Sequence, residues 1–136
     1  MIHLDSCVLI DLIRETARER PGPAFDVMES LDENEVLGVS VYVACELRVG
    51  AELTRRPLQE HETLDRVLSG LLVAYPDDRF PPAYARLAAA MTHGSRRAVY
   101  AMDLLIATAA LLDDAPLVTR NVKDFSRVPG LRVLKY

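Results

Sequence analysis

Five short apolar runs, "MIHL", "EVLGV", "LLVAY", "PLVT" and "LRVL", alternate with longer stretches of helical periodicity, and no feature of the chain constrains its fold more. Strands separated by helices point to parallel pairing, because parallel neighbours need a crossover and the crossover helices cover both faces of the sheet. The fold class read from this is α/β: a three-layer α/β/α sandwich around a central, mainly parallel five-stranded sheet with right-handed connections. In such folds ligands gather beyond the carboxyl ends of the strands.

The helical stretches have legible boundaries. Asp5 and Ser6 follow the first strand, and Ser6 reads as the cap of a helix over "CVLIDLIRETARER", which Pro21, Gly22 and Pro23 stop. "AFDVMESLDENE" offers a second helix, Ser40 caps a third over "VYVACELRVGAELT", and Pro57 opens a fourth, "PLQEHETLDRVLSG". After Pro81 and Pro82 comes "AYARLAAAMTHG", and the most apolar helix covers residues 100–112. The helix after Ser40 carries a polar stripe of Arg48, Glu52 and Arg55, in which Arg48 stands four residues from Glu52 and can pair with it.

A chain of 136 residues is of the size of one domain, read as spanning 1–136. No apolar run approaches the roughly eighteen residues of a membrane span, and no basic segment precedes an apolar one at the N-terminus, so a cytoplasmic protein without a membrane partner is expected. Cys7 and Cys45 read as small buried residues rather than a zinc pair or a disulfide, and His3, His61 and His93 lack the HExxH spacing of zinc hydrolases. The net charge of −4 conceals an asymmetry: residues 1–78 hold 16 acids and 7 Lys or Arg, giving −9, while residues 79–136 hold 4 acids and 9 bases, giving +5. Such a split permits a basic face beside an acidic pocket.

Three acids stand where acids are disfavoured. Asp5 ends a strand that enters the interior, and an ionised carboxylate there costs several kcal/mol unless it is paired or holds a metal. Glu46 lies off the polar stripe of its helix, among Tyr42, Val43, Val49 and Gly50, and Gly50 reads as making room beside it. Asp103 stands at the entrance of "LLIATAALL", where only Thr108 is polar, although an acid in a first helical turn is also favoured by the helix dipole. A fourth polar group gathers where "LVT" ends in Thr119, Arg120, Asn121 and then Asp124, a pattern that Asx turns alone could also produce.

If Asp5, Glu46 and Asp103 converge, each pair about 5 Å apart repels by about 3 kcal/mol at an effective dielectric near 20. A divalent cation resolves that repulsion. Oxygen donors without clustered His or Cys favour Mg²⁺ or Mn²⁺ over zinc, and the chemistry implied is metal-assisted phosphodiester hydrolysis.

Asp5 after a short strand, "CELRVGA" around Glu46, "MDLLIATAA" around Asp103 and the closing "LVTRNVKDFSRVPGLRV" resemble the PIN-domain ribonucleases, in particular the VapC toxins of bacterial toxin–antitoxin pairs. The motifs come in that family's order over nearly the whole chain. The resemblance implies a Mg²⁺- or Mn²⁺-dependent endoribonuclease acting on structured RNA of the tRNA or rRNA class, a homodimer, and inhibition by a cognate VapB-like antitoxin. It assigns the metal to Asp5 and Asp103, and to Glu46 and Asp124 the attacking water, with products carrying 5′-phosphate and 3′-hydroxyl ends. Some members have Asp where this chain has Asn121, and others rely on the acid before Phe, here Asp124, which leaves one or two ions open. Ser6 and Thr119 fit as hydroxyl groups supporting the carboxylates, while Arg120, Lys123 and Arg127 are the expected RNA contacts.

Two other readings compete. A phosphoacceptor signalling domain is also a parallel α/β fold with acids at strand ends, but "VYVAC" supplies no acceptor Asp. A catalytically silent protein-binding module on the same fold is left room by the neutral Asn121.

Overall fold

The structure, a computed structural model, describes residues 1–94 and 99–136. The chain runs β1 (Ile2–Leu4), α1 (Ser6–Ala17), α2 (Pro23–Ser30), β2 (Leu37–Ser40), α3 (Val41–Glu52), α4 (Pro57–Leu68), β3 (Leu72–Ala74), α5 (Phe80–Gly94), α6 (Ala101–Leu112), β4 (Leu117–Thr119), α7 (Val122–Phe125) and β5 (Val133–Lys135). The five strands form one sheet in the order β3-β2-β1-β4-β5, and every neighbouring pair is parallel. Helices cover both faces. Alternate side chains of β1 point to opposite faces, and Ile2, His3 and Leu4 are 7%, 1% and 0% exposed. The α/β reading therefore stands.

The order of the strands decides where a site can form. From β1 the chain builds outward through β2 to β3, then returns to add β4 and β5 on the other side of β1. The switch in direction falls between β1 and β4, where the divergent crossovers leave a crevice at the carboxyl ends. Asp5 and Thr119 end those two strands. Beneath them lies the core of Leu4, Val8, Val39, Val43, Ile106 and Val118.

Several helix ends differ from the sequence reading, each for a local reason. Both α1 and α2 are shorter than expected. Glu15 turns back to accept the backbone N–H groups of Gly22, Ala24 and Phe25 at 2.8–3.1 Å, which fastens α2 to α1. The Asp32 carboxylate accepts from Asn34 N–H at 2.9 Å and forms an Asx turn just beyond α2. Pro81 and Pro82 lie inside the first turn of α5 rather than before it, where missing N–H groups have no intrahelical partner to lose. Gly38 in β2 is explained by crowding, since a Cβ there would sit 3.0 Å from the Leu72 carbonyl oxygen of β3.

Cys45 is exposed, against the expectation of burial. The inward positions of α3 are Val43, Leu47 and Ala51, and Cys45, two residues past Val43, lies about 200° round the helix from it. The polar stripe faces α4: Arg48 donates to Asp65 at 2.5 Å and His61 meets Glu52 at 2.7 Å. Arg48 thus pairs neither with Glu52 nor with a free surface. His3, in the middle of the sheet, is held by Asp113 at 2.7 Å. Among the described residues no helix is long and apolar enough to cross a membrane. Arg96 and Arg97 of the basic half lie outside the described residues, as does the side chain of His93.

Candidate metal centre at the switch point

Asp5 is the last extended residue before α1 and is itself the N-cap, with φ −78 and ψ 159. Its Oδ1 accepts the Ser6 N–H at 2.8 Å, with the Ser6 hydroxyl at 3.5 Å. This corrects the assignment of the cap to Ser6: the residue that leaves the strand extended already has its carboxylate over the free N–H groups of the helix. The other oxygen, Oδ2, accepts from Thr119 Oγ1 at 2.6 Å and from the Cys7 thiol at 3.2 Å. Thr119 in turn accepts the Asn121 N–H at 2.9 Å. A carboxylate 5% exposed is therefore oriented by donors from β4 and α1.

Cys7 is half-buried and takes part in the site. Burial first, and then the Asp5 charge, push its thiol above the ordinary value, so it remains an S–H donor to Asp5. Its sequence signal was only its position, two residues after the cap.

The other acids lack such support. Asp103 lies in the first turn of α6 without capping it, and the N-cap, Tyr100, makes no side-chain bond. Burial, followed by the charges of Asp5, Glu46 and Asp124 in that order, pushes its carboxyl up to about 6. Glu46, half-buried on α3, is also raised; burial is the main cause, Asp5 adds to it, and a hydrogen bond from the Ser6 side chain opposes it. Four acids from the β1–α1 junction, α3, α6 and α7 thus share one field. The neutral Asn121 reaches Asp103, its Nδ2 donating to Oδ2 at 3.4 Å.

Asp124 owes its place to a helix the sequence reading missed. "VKDF" is the single turn α7, anchored by Phe125, which is 0% exposed. The apolar pair Val122 and Phe125, three residues apart, was the available signal. Of the three expected RNA contacts, Lys123 is exposed on α7, Arg127 lies 3.9 Å from Asp124, and Arg120 donates to Asp11 at 2.6 Å.

Among the described residues no three His, Cys, Asp or Glu side chains close into a ready-made metal cage. Mg²⁺ does not need one, because it keeps several waters and sits on one or two carboxylates with substrate phosphate completing the shell. The donors here are hard oxygens, and the mutual repulsion felt by Asp103 is what a cation relieves. Asp5 and Asp103 fit such an ion.

Known proteins resemble this chain in sequence and in fold. Ribonuclease VapC2 of Rickettsia felis is 29% identical over 113 residues, covering 83% of this chain and 84% of that protein. The crystal structure of VapBC2 from Rickettsia felis bound to a promoter DNA fragment contains a chain matching with a TM-score of 0.88 at 27% identity, over 100% of this chain and 99% of the other. A chain of VapBC-1 from nontypeable Haemophilus influenzae gives 0.84 at 27% identity, over 99% and 98%. The PIN domain family matches residues 2–131, nearly the whole length. With the acids of four segments gathered at the switch point of this sheet, the chain belongs to the PIN-domain family, and its type within that family is the VapC ribonuclease.

Proposed function

We propose that this protein is a divalent-metal-dependent endoribonuclease toxin that hydrolyses structured RNA of the tRNA or rRNA class in the cytoplasm and is held in check by a VapB-like antitoxin. The observation that carries the reading is the Asp103 carboxyl, raised first by its half-burial and then by the charges of three other acids from separate elements. Nothing structural in the fold requires that crowding. A bound Mg²⁺ or Mn²⁺ supplies charge neutralisation at the phosphate and a more acidic water. Asp5 and Asp103 hold the ion, the former locked by Ser6, Cys7 and Thr119. Glu46 and Asp124 orient the attacking water and take its proton, a role for which the raised carboxyl makes Glu46 a stronger base than an ordinary carboxylate. Lys123, Arg120 and Arg127 meet the RNA backbone.

The test is cleavage of bulk tRNA with Mg²⁺, with EDTA, and by Asp5→Ala. Cleavage indifferent to both would refute the reading. No cleavage under any of these conditions would instead favour the silent protein-binding module, the second reading, which the neutral Asn121 supports.

For the antitoxin, the groove of about 410 Å³ between α1, α3 and α4 is the docking surface: Ile10, Ile13, Leu47, Ala51 and Leu64 line it, and Glu46 stands at its edge. Gly50 also lines it, and a Cβ there would meet nothing within 4 Å, so no neighbour requires the glycine and the expectation that it makes room beside Glu46 is not borne out. An occupant could reach the acid cluster from there. Neighbours of this fold were solved as toxin–antitoxin complexes, which is why a VapB-like polypeptide is the occupant. Ile10→Asp is expected to abolish co-purification with the antitoxin while leaving cleavage intact. The homodimer is checked by light scattering, which should give twice the chain mass of 15.1 kDa.

A further inference from the structure

A second cavity, of about 320 Å³, takes in Arg120 but otherwise has no part in the roles above; Asp11, Arg14, Glu15, Arg18, Arg120 and Tyr136 line it. Arg14 lies in the last turn of α1 and Arg18, four residues on, is its C-cap, so the two stand about one turn apart. Arg120 follows Thr119, the residue bonded to Asp5, and its backbone N–H donates to the Cys7 sulfur at 3.4 Å. Tyr136 comes beside it because β5 pairs with β4, Lys135 opposite Thr119. The cavity therefore begins one residue from the Asp5 carboxylate.

Its charges do not cancel. Both acids in the cavity are engaged: Glu15 accepts three backbone N–H groups, and Asp11 Oδ2 accepts from Arg120 at 2.6 Å and from the Tyr136 hydroxyl at 2.9 Å. Arg14, 3.8 Å from the other Asp11 oxygen, keeps 63% of its side chain exposed, and among the described residues no acid pairs with Arg18. Three guanidinium groups against two occupied carboxylates leave a positive cavity with planar forks that match the oxygens of a phosphate.

We propose that this cavity is a phosphate subsite, in which Arg14, Arg18 and Arg120 grip a backbone phosphate of the RNA strand next to the scissile bond while Asp11 holds Arg120 in place. The assignment of RNA as the ligand rests on the nuclease reading; the test separates the two. Binding of 5′-fluorescein-labelled bulk tRNA is followed by anisotropy in EDTA across a salt series, so that no cleavage intervenes. The double variant R14A/R18A is expected to bind about tenfold more weakly, with a salt slope shallower by about 1.4, the value for two lost contacts to single-stranded backbone. R14K/R18K should restore the slope, because it keeps the charges. R132A, whose guanidinium pairs with Asp114 at the amino end of the strands, should bind as wild type.

Wild-type affinity and slope in R14A/R18A would overturn the proposal. So would an equal loss in R132A, which would make the effect one of net charge, or displacement of the RNA by polyglutamate at equal charge, which would make the cavity a polypeptide site. RNA binding that depends on Arg14 and Arg18 without any Mg²⁺-dependent cleavage would leave the subsite standing and sink the nuclease reading. Mg²⁺-dependent cleavage with an unchanged KM in R14A/R18A would do the reverse.

Discussion

Two groups of acids, one on α1 and the other divided between α3 and α6, behave oppositely. Glu15 and Asp11 are saturated with partners, the first by three backbone N–H groups and the second by Arg120 and Tyr136. Across the switch point, Glu46 and Asp103 are both raised, first by burial and then by the charges of neighbouring acids. A carboxylate with donors holds the fold together, whereas carboxylates facing one another destabilise it until a ligand neutralises them. Asp5 belongs to both groups, anchored by donors on one side and repelling Asp103 on the other.

The sharpest way to break this comparison is to remove a ligand-facing acid and a fold-facing acid separately. Asp5→Ala, or EDTA with the intact chain, is expected to lower the cleavage rate by more than about a hundredfold, since the ion contributes several kcal/mol at the phosphate. Gel assay of RNA fragments reads this, and Mn²⁺ added after dialysis of the EDTA should restore the intact chain but not Asp5→Ala. Glu15→Ala should instead cost about 1.5–3 kcal/mol of stability in a denaturant melt, because three N–H groups lose a charged acceptor, while kcat per folded molecule stays unchanged.

A smaller effect of opposite sign is expected for Asp103→Asn. The folded carboxyl keeps its proton up to about pH 6, whereas the unfolded one releases it near 3.8. As pH rises through that window the unfolded state sheds its proton first, so the metal-free native state loses stability, fully above about 6. The amide should therefore stabilise the metal-free protein at pH 7 by about 1–2 kcal/mol, allowing for solvent screening, and the gain should vanish below pH 4. Melts showing destabilisation instead would make Asp103 a helix-start acid. The smallest change is expected for Arg48→Ala, which breaks the exposed pair with Asp65 and should cost about 1 kcal/mol or less.

Much of the candidate site was legible because misplaced charge is visible along a chain. Asp5, Glu46 and Asp103 each sit beside apolar neighbours, which local periodicity reveals. Asp124 was visible as a polar residue but not as a helical one, since a single turn is too short for periodicity to register. Cys7 and Asp11 went unread in their roles, because each matters through a partner more than a hundred residues away: Thr119 for the thiol, Arg120 and Tyr136 for the carboxylate.

The sequence by itself determined the α/β alternation, the order of the strands along the chain, the cap at Ser40 and the residues whose burial would be costly. These are local matters of propensity, periodicity and the price of desolvation. Only the tertiary structure decided that β1 and β4 are neighbours, and with them that Asp5 is held by Thr119, that Arg120 is held by Asp11 and that four acids share one field. The physical reason is that Coulomb and hydrogen-bond energies depend on distance in space, which the returning chain sets and no local stretch contains.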